Sequence, residues 1–154
     1  MPNLKYPSPM IYYTKPPVLN VKLDEGATLP NRAHTTDAGA DIFCREGFTI
    51  AGRSSAVIRT GVHVQLPHGT VGMIKSKSGL NIKRNIIADG TIDEGFTGEI
   101  IVKLYNLGDH AQHFKQGDKI TQLVVLPVHY PDIVQVDEIS GGERGDAGYG
   151  STGR

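Results

Sequence analysis

Asp89-Gly-Thr-Ile-Asp-Glu-Gly-Phe-Thr-Gly-Glu99 places three glycines, at 90, 95 and 98, around Asp93, with an aromatic, Phe96, close behind. Asn85-Ile-Ile-Ala88 on one side and Ile100-Ile-Val-Lys-Leu104 on the other are short apolar runs of strand character. The glycines then fall where a hairpin must turn, and Asp93 projects from a strand end, where a bend can aim one side chain at a ligand. On this stretch alone Asp93 and Glu94 also read as plain turn-formers, since Asp is common between strands.

Working outward from the hairpin, short strands and turns continue in both directions. Val71-Gly-Met-Ile74 reads as a strand that delivers Lys75-Ser-Lys-Ser-Gly-Leu80, two cations and two hydroxyls around a glycine. That chemistry suits phosphate, because lysine supplies a point charge, serine a donor, and glycine lets backbone N–H groups face an anion. A solvated basic loop has the same composition. Leu80 to Arg84 is long enough for one or two helical turns, and no other helix of useful length is predicted. Upstream, Ser54 to Gly61 reads as a strand and a turn, Val62-His-Val-Gln-Leu66 alternates as a half-buried strand, and Pro67 to Thr70 is a turn. Leu29 to Cys44 is a polar loop running into a short strand, with Gly39 allowing close backbone approach and Asp41 at the strand's start. Asp37 and Asp41 also fit plain turn and edge positions.

Downstream, Asn106 to Gly117 is a polar connection containing Phe114, followed by Asp118 to Pro127 as a strongly apolar strand. Gln122 inside that strand needs partners, which core, interface or ligand would supply equally well. Val128 to Ile139 is predicted as a final strand, on an edge because of Pro131. Residues 1–20 hold five prolines and read as an irregular arm, with Val18 and Val21 to Leu23 able to add an edge strand. Nine or ten short strands with Gly, Pro and Asp turns indicate an all-β sandwich or jelly roll. The organisation predicted is an arm at 1–20, one β domain at 21–140, and a tail at 141–154.

The 154 residues suit one domain with a real core. Lys plus Arg and Asp plus Glu number 16 each, so net charge favours neither nucleic acid nor an anionic membrane as a partner. Cys44, the single cysteine, allows no internal disulfide and no cysteine-based zinc site. The six histidines show no HExxH spacing, and His110 and His113 lie in a loop-like stretch. With no signal pattern and no apolar run near the ~20 residues of a membrane span, the expectation is a soluble, cytoplasmic protein. Dispersed candidate elements in so small a domain point to sites built between subunits of a symmetric oligomer.

The tail, Gly141-Gly-Glu-Arg-Gly-Asp-Ala-Gly-Tyr-Gly-Ser-Thr-Gly-Arg154, holds six of the 19 glycines. It reads as a bland linker or as a flexible lid whose main chain wraps phosphates and whose tyrosine stacks on a base. With it the set is complete: Asp37-Ala-Gly-Ala-Asp-Ile42, Lys77-Ser-Gly-Leu80, Gly90 to Gly98, Gly117-Asp-Lys-Ile-Thr-Gln-Leu-Val124 and Arg144 to Gly153. In order and spacing these segments resemble the five motifs of the trimeric dUTP diphosphatase (dUTPase) family.

The resemblance implies a jelly-roll β-clip homotrimer with active sites at the subunit interfaces, each closed by a neighbour's tail. It implies hydrolysis of dUTP to dUMP and pyrophosphate with Mg2+ assisting, which keeps uracil out of DNA and supplies dUMP for dTMP synthesis. Asp93 matches the general base, with Gly90 and Ile92 beside it in the hairpin whose main chain reads uracil. Phe96 matches an aromatic that leaves no room for a ribose 2′-hydroxyl. Lys77, Ser78 and Gly79 match phosphate-holding positions, Gln122 a contact near the α-phosphate, and Asp41 a group that positions hydrated Mg2+ through water. In the tail, Arg144 matches a γ-phosphate partner and Tyr149 a base-stacking aromatic, while Gly150, Ser151 and Thr152 match contacts to terminal phosphates. Lys77 stands where Arg is usual, exchanging a bidentate fork for a point charge. Phe96 stands in place of Tyr, and Tyr149 in place of Phe.

Two other readings compete. Ile92-Asp-Glu-Gly-Phe96 also resembles the hairpin of dCTP deaminase, against which the glycine-rich tail decides. A trimer that uses nucleotide occupancy to regulate a protein partner is the other, with the Pro-rich arm as its carrier.

Overall fold

The computed structural model describes residues 15–142 and 145. Most of the Pro-rich arm lies outside the described residues, as do Arg144, Tyr149, Gly150, Ser151 and Thr152.

Alternation builds the sheet. In β7 (Glu99–Asn106), Ile100, Val102, Leu104 and Asn106 are buried while Ile101, Lys103 and Tyr105 face out, the period-two pattern of a strand with one face on a core. The other strands of this sheet are β1 (Asn20–Leu23), β2 (Gly39–Phe43), β4 (Ser54–Gln65), β5 (Thr70–Lys75), β6 (Ile86–Ile92) and β9 (Lys119–Pro127). Together they make one antiparallel seven-stranded sheet ordered β1-β4-β7-β6-β5-β9-β2. The sheet curls on itself, so that Ile42 from one end joins Val62, Val64 and Leu104 from the other in a single apolar cluster. This is the all-β jelly-roll architecture expected from the sequence. Among the described residues, no helix is long and apolar enough to cross a membrane.

The curl turns on β6, which changes partners along its length. Ile86 to Ala88 pair with Leu104 to Asn106 of β7, whereas Asp89 to Ile92 pair with Gly72 to Lys75 of β5. Where the next β7 residues would continue that ladder they belong to β4 alone, with Arg59 opposite Ile101. The hairpin predicted around Asp93 therefore exists, but Gly90 lies inside β6 rather than in its turn.

Other expectations change in detail. Ser54 to Gln65 is one strand, because Gly61 is the site of a bulge and not of a turn. Five residues of β4, from Arg59 to His63, span what three of β7 cover, from Ile101 to Glu99. Gly61 there has φ +67°, and an added Cβ would come 2.8 Å from that of Ala27. The polar connection after β7 hides β8 (Gln112–Phe114), which pairs with β3 (Phe48–Ile50) and stacks Phe114 on Phe48 at 4.7 Å. Val128 to Ile139 forms no strand: after Val128 N–H donates to the Gly69 carbonyl at 2.9 Å its backbone meets no ladder, and Ile133 is 99% exposed. The helix α1 (Ser78–Arg84) starts two residues earlier than predicted, with Lys77 as its N-cap.

Asn106 joins the small sheet to the large one. Its buried Nδ2 lies within 3.1 Å of the carbonyls of Ile50, Ala51 and His110, and its Oδ1 accepts from Gly108 N–H at 3.1 Å. Asn106→Ala removes the donors to these carbonyls and is expected to cost about 2–3 kcal/mol. Urea unfolding at fixed protein concentration checks this, with a lowered midpoint and an unchanged slope as the expected result.

Candidate active site

Because β6 and β7 part after Ala88, a cleft of about 270 Å³ opens between them, lined by Asp89 to Asp93, Phe96 and Glu99 to Val102. Each strand is paired on its far side only, to β5 or to β4, so alternate N–H and C=O groups on the facing edges are free for a ligand. A side chain at Gly90 would find ordinary contact with Ile74 at 3.6 Å, so packing within this chain does not require glycine there. Ile92 is buried next to Gly72 and anchors the strand end from which Asp93 emerges. Asp93 is exposed at the mouth of the cleft, and its carbonyl accepts from Phe96 N–H at 3.1 Å.

Two glycines shape the turn. Gly95 supplies φ +89°, and Gly98 lets the Phe96 ring lie flat on the backbone, where a Cβ would come within 2.6 Å of the ring. The ring stays 47% exposed on the cleft's rim. Glu94 faces the other way. It accepts from the Tyr130 hydroxyl at 2.6 Å and from Gly69 N–H at 2.9 Å, with His68 Nδ1 at 2.7 Å. The Tyr130 hydroxyl first, then His68 and the Gly69 N–H, pull the Glu94 carboxyl down to about 2.

A second group of predicted residues gathers on β2, β9 and the start of α1. Asp41, only 6% exposed, receives Lys77 Nζ on Oδ1 and Lys119 Nζ on Oδ2, the latter at 2.8 Å. Burial pushes the Asp41 carboxyl up, but the hydrogen bonds from Lys119 and Lys77 outweigh it and hold it below its ordinary value. Two ammonium groups against one carboxylate leave a net positive charge at the surface. Gln122 sits opposite Asp41 in register and donates from Nε2 to the Ser76 carbonyl at 3.1 Å, so its nearest partner lies within the chain. Its amide packs so closely on Gly39 that a Cβ there would lie 2.2 Å from Oε1.

Of the Lys-Ser-Lys-Ser run, three residues have partners within the chain, Lys77 through Asp41 as described above. Lys75 pairs with Asp89 at 2.5 Å, and the Ser76 hydroxyl donates to the Ala88 carbonyl at 3.0 Å while accepting from Ala88 N–H at 2.9 Å. Ser78 and Gly79 are exposed, and Lys77 is half-buried against Asp41. The first intrahelical bond runs from Asn81 N–H to the Lys77 carbonyl at 2.9 Å, leaving the N–H groups of Ser78, Gly79 and Leu80 without one. Nothing lies within 4 Å of a Cβ built at Gly79, so this turn is open to an approaching group.

The two groups do not meet within one chain. Register aligns Asp41, Gln122, Lys75 and Asp89 in a row across four strands. Asp41 is thus roughly 14 Å from the Asp89 row position, and Asp93 lies roughly 13 Å further along β6, by ordinary strand spacings. Asp93 is therefore well beyond hydrogen-bond reach of Asp41 and the lysines on it.

The dUTPase family model matches residues 25–153. The chain belongs to the dUTPase family. It is 37% identical over 135 residues to the deoxyuridine 5'-triphosphate nucleotidohydrolase of Mus musculus, covering 87% of this chain and 83% of that protein. To that of Clostridium kluyveri it is 41% identical, covering 86% of this chain and 94% of the relative. Among solved structures, a variant of the Staphylococcus bacteriophage 80alpha dUTPase with dUpNHpp superposes with a TM-score of 0.80 at 33% identity, covering 89% of this chain and 99% of that one. A dUTPase variant from phage phi11 of S. aureus, which coordinates a structural Mg(II) ion, gives 0.74 at 31% identity, covering 79% and 98%.

In this family member no group of three or more His, Cys, Asp or Glu able to hold a metal occurs among the described residues. Each Asp41 carboxylate oxygen receives one lysine and keeps one further acceptor position. Sequence reasoning missed Lys119, which a register shift between Ile42 and Phe43 brings to Asp41. It also missed the Glu94, His68 and Tyr130 contacts, which join segments far apart in sequence and carry no local signal.

Because Glu94 is held below its ordinary 4.5, its stabilising contribution is complete above that pH and is lost as pH falls toward about 2. Glu94→Gln should therefore melt below wild type at pH 6, with the gap narrowing by pH 3.5. A gap of constant size across that range would contradict the assignment.

Proposed function

We propose that the chain hydrolyses dUTP to dUMP and pyrophosphate as a homotrimer, each site pairing the hairpin cleft of one subunit with the lysine group of another. The observation that carries this reading is the parting of β6 from β7, which leaves main-chain donors and acceptors facing a narrow cleft with Asp93 at its mouth. Uracil presents an N–H donor between two carbonyl acceptors, a pattern that a mixed edge of backbone N–H and C=O groups can read. Gly90 and Ile92 line that edge, and the Phe96 ring lies beneath the sugar, where it leaves no space for a 2′-hydroxyl.

At the other end, Lys77, with Ser78 and Gly79 at the open start of α1, holds phosphate oxygens, and Gln122 turns its second N–H toward the α-phosphate region. Mg2+, when bound, would neutralise charge on the triphosphate, and Asp41 would hold it through water. Asp93 takes a proton from water as the water oxygen bonds to the α-phosphorus. The bond from that phosphorus to the bridging oxygen breaks, and pyrophosphate leaves with the electron pair. By family resemblance, Arg144 pairs with the γ-phosphate, Tyr149 stacks on the base, and Gly150, Ser151 and Thr152 close over the terminal phosphates. In the cell this reaction keeps uracil out of DNA and supplies dUMP for dTMP synthesis.

The first test offers the protein Mg2+ with dUTP, dCTP, dTTP or UTP and follows pyrophosphate and ammonia. Pyrophosphate from dUTP alone is expected; ammonia from dCTP would move the chain to the deaminase reading. Asp93→Asn should keep nucleotide binding and lose at least about 10²-fold in turnover, the lower end of what a positioned base contributes. A variant within threefold of wild type would sink the role given to Asp93. Truncation before Arg144 should leave a folded trimer whose hydrolysis is crippled, as initial rates beside a size measurement would show.

A further inference from the structure

Glu94, which has no part in the reaction above, joins three separate stretches of chain. It sits in the β6–β7 turn directly after Asp93 and reaches the β4–β5 turn through Gly69 N–H at 2.9 Å and His68 Nδ1 at 2.7 Å. It reaches the segment beyond β9 through the Tyr130 hydroxyl at 2.6 Å. That segment is tied to the same place again, by Val128 N–H donating to the Gly69 carbonyl at 2.9 Å. Tyr130 is largely exposed, so burial does not explain where its ring lies; its hydroxyl is the anchor. A carboxylate serving only as a turn-former needs donors from its own loop. Here both oxygens are spent on partners outside it.

Apart from Glu94, the other side chain that reaches the turn from outside is His63, whose Nδ1 lies 3.0 Å from the Thr97 carbonyl. Inside it runs a single backbone bond, from Phe96 N–H to the Asp93 carbonyl at 3.1 Å, and Gly95 adds freedom rather than stiffness. Hydrogen bonds to a charged acceptor are the stronger kind, so Glu94 is the turn's main outside restraint. We propose that Glu94 is a positioning residue for Asp93, and that Tyr130 makes the setting of the catalytic turn depend on the seating of the C-terminal segment. The catalytic half of this inference rests on the reaction proposed above; the mechanical half does not.

Both halves are read on the full chain with Tyr130→Phe, which removes one hydroxyl and keeps the ring, with Glu94→Gln, and with the double variant. Hydrogen exchange followed by mass spectrometry is expected to speed up by about threefold or more over residues 93–98 in each, with β9 unchanged. Turnover of dUTP should fall roughly five- to tenfold while KM stays within about twofold, because a misplaced base weakens the transition state and not substrate binding. The double variant should be no worse than Glu94→Gln alone, as expected for two residues on one connection. Unchanged exchange over 93–98 in Tyr130→Phe overturns the coupling, as do additive losses in the double variant. A wild-type protein that leaves dUTP intact instead overturns the proposed reaction, and exchange still decides whether Tyr130 restrains the turn.

Discussion

The parting of β6 from β7 is the constraint on which the rest of this structure depends. A strand can bond to one neighbour on each side, and β6 divides its near-side and far-side bonds between β7 and β5 at Ala88 and Asp89. The curl of the sheet follows, since β6 belongs to both halves. So does the cleft, since two strands of one hairpin can separate only where each has another partner. Unpaired backbone groups normally cost stability unless water or a ligand satisfies them, so an open seam beside a buried Ile92 and Ile100 is a natural place for a planar polar ligand.

The second arrangement is electrostatic. Asp41 is buried and would be costly alone, and the two lysines that compensate it arrive from different elements, Lys77 from the edge of α1 and Lys119 from β9. The carboxylate thereby fixes two ammonium groups whose combined charge exceeds its own. It does so far from Asp93 along and across the sheet. Under the proposed reaction, which needs both a base and phosphate-binding cations, a second copy of the chain would supply one of the two, and the dispersed motifs of one short sequence would then have a physical reason.

Much of this is legible in the sequence. The apolar run Ile100 to Leu104 and the alternation in Val62 to Leu66 both mark strands, and the glycine-rich hairpin is legible with Asp93 at a strand end. The misreadings share one cause. Gly61 looked like a turn because its positive φ is the same in a bulge and in a turn, and only the pairing register separates them. Val128 to Ile139 has strand composition but no partner edge, and composition cannot report that. Lys75 and Ser76 looked like phosphate ligands because their real partners, Asp89 and Ala88, lie more than ten residues away. Lys119 and the partners of Glu94 escape the sequence for the same reason.

Mixing subunits tests the account most directly. Asp93→Asn and Lys77→Ala chains, each impaired alone, would be unfolded together, refolded as mixed trimers and assayed with dUTP. If base and cations come from different subunits, equal mixing restores about a quarter of the wild-type sites, because half the chains carry each intact element. Activity that stays at the level of the separate variants would place both elements in one subunit and contradict the interface site.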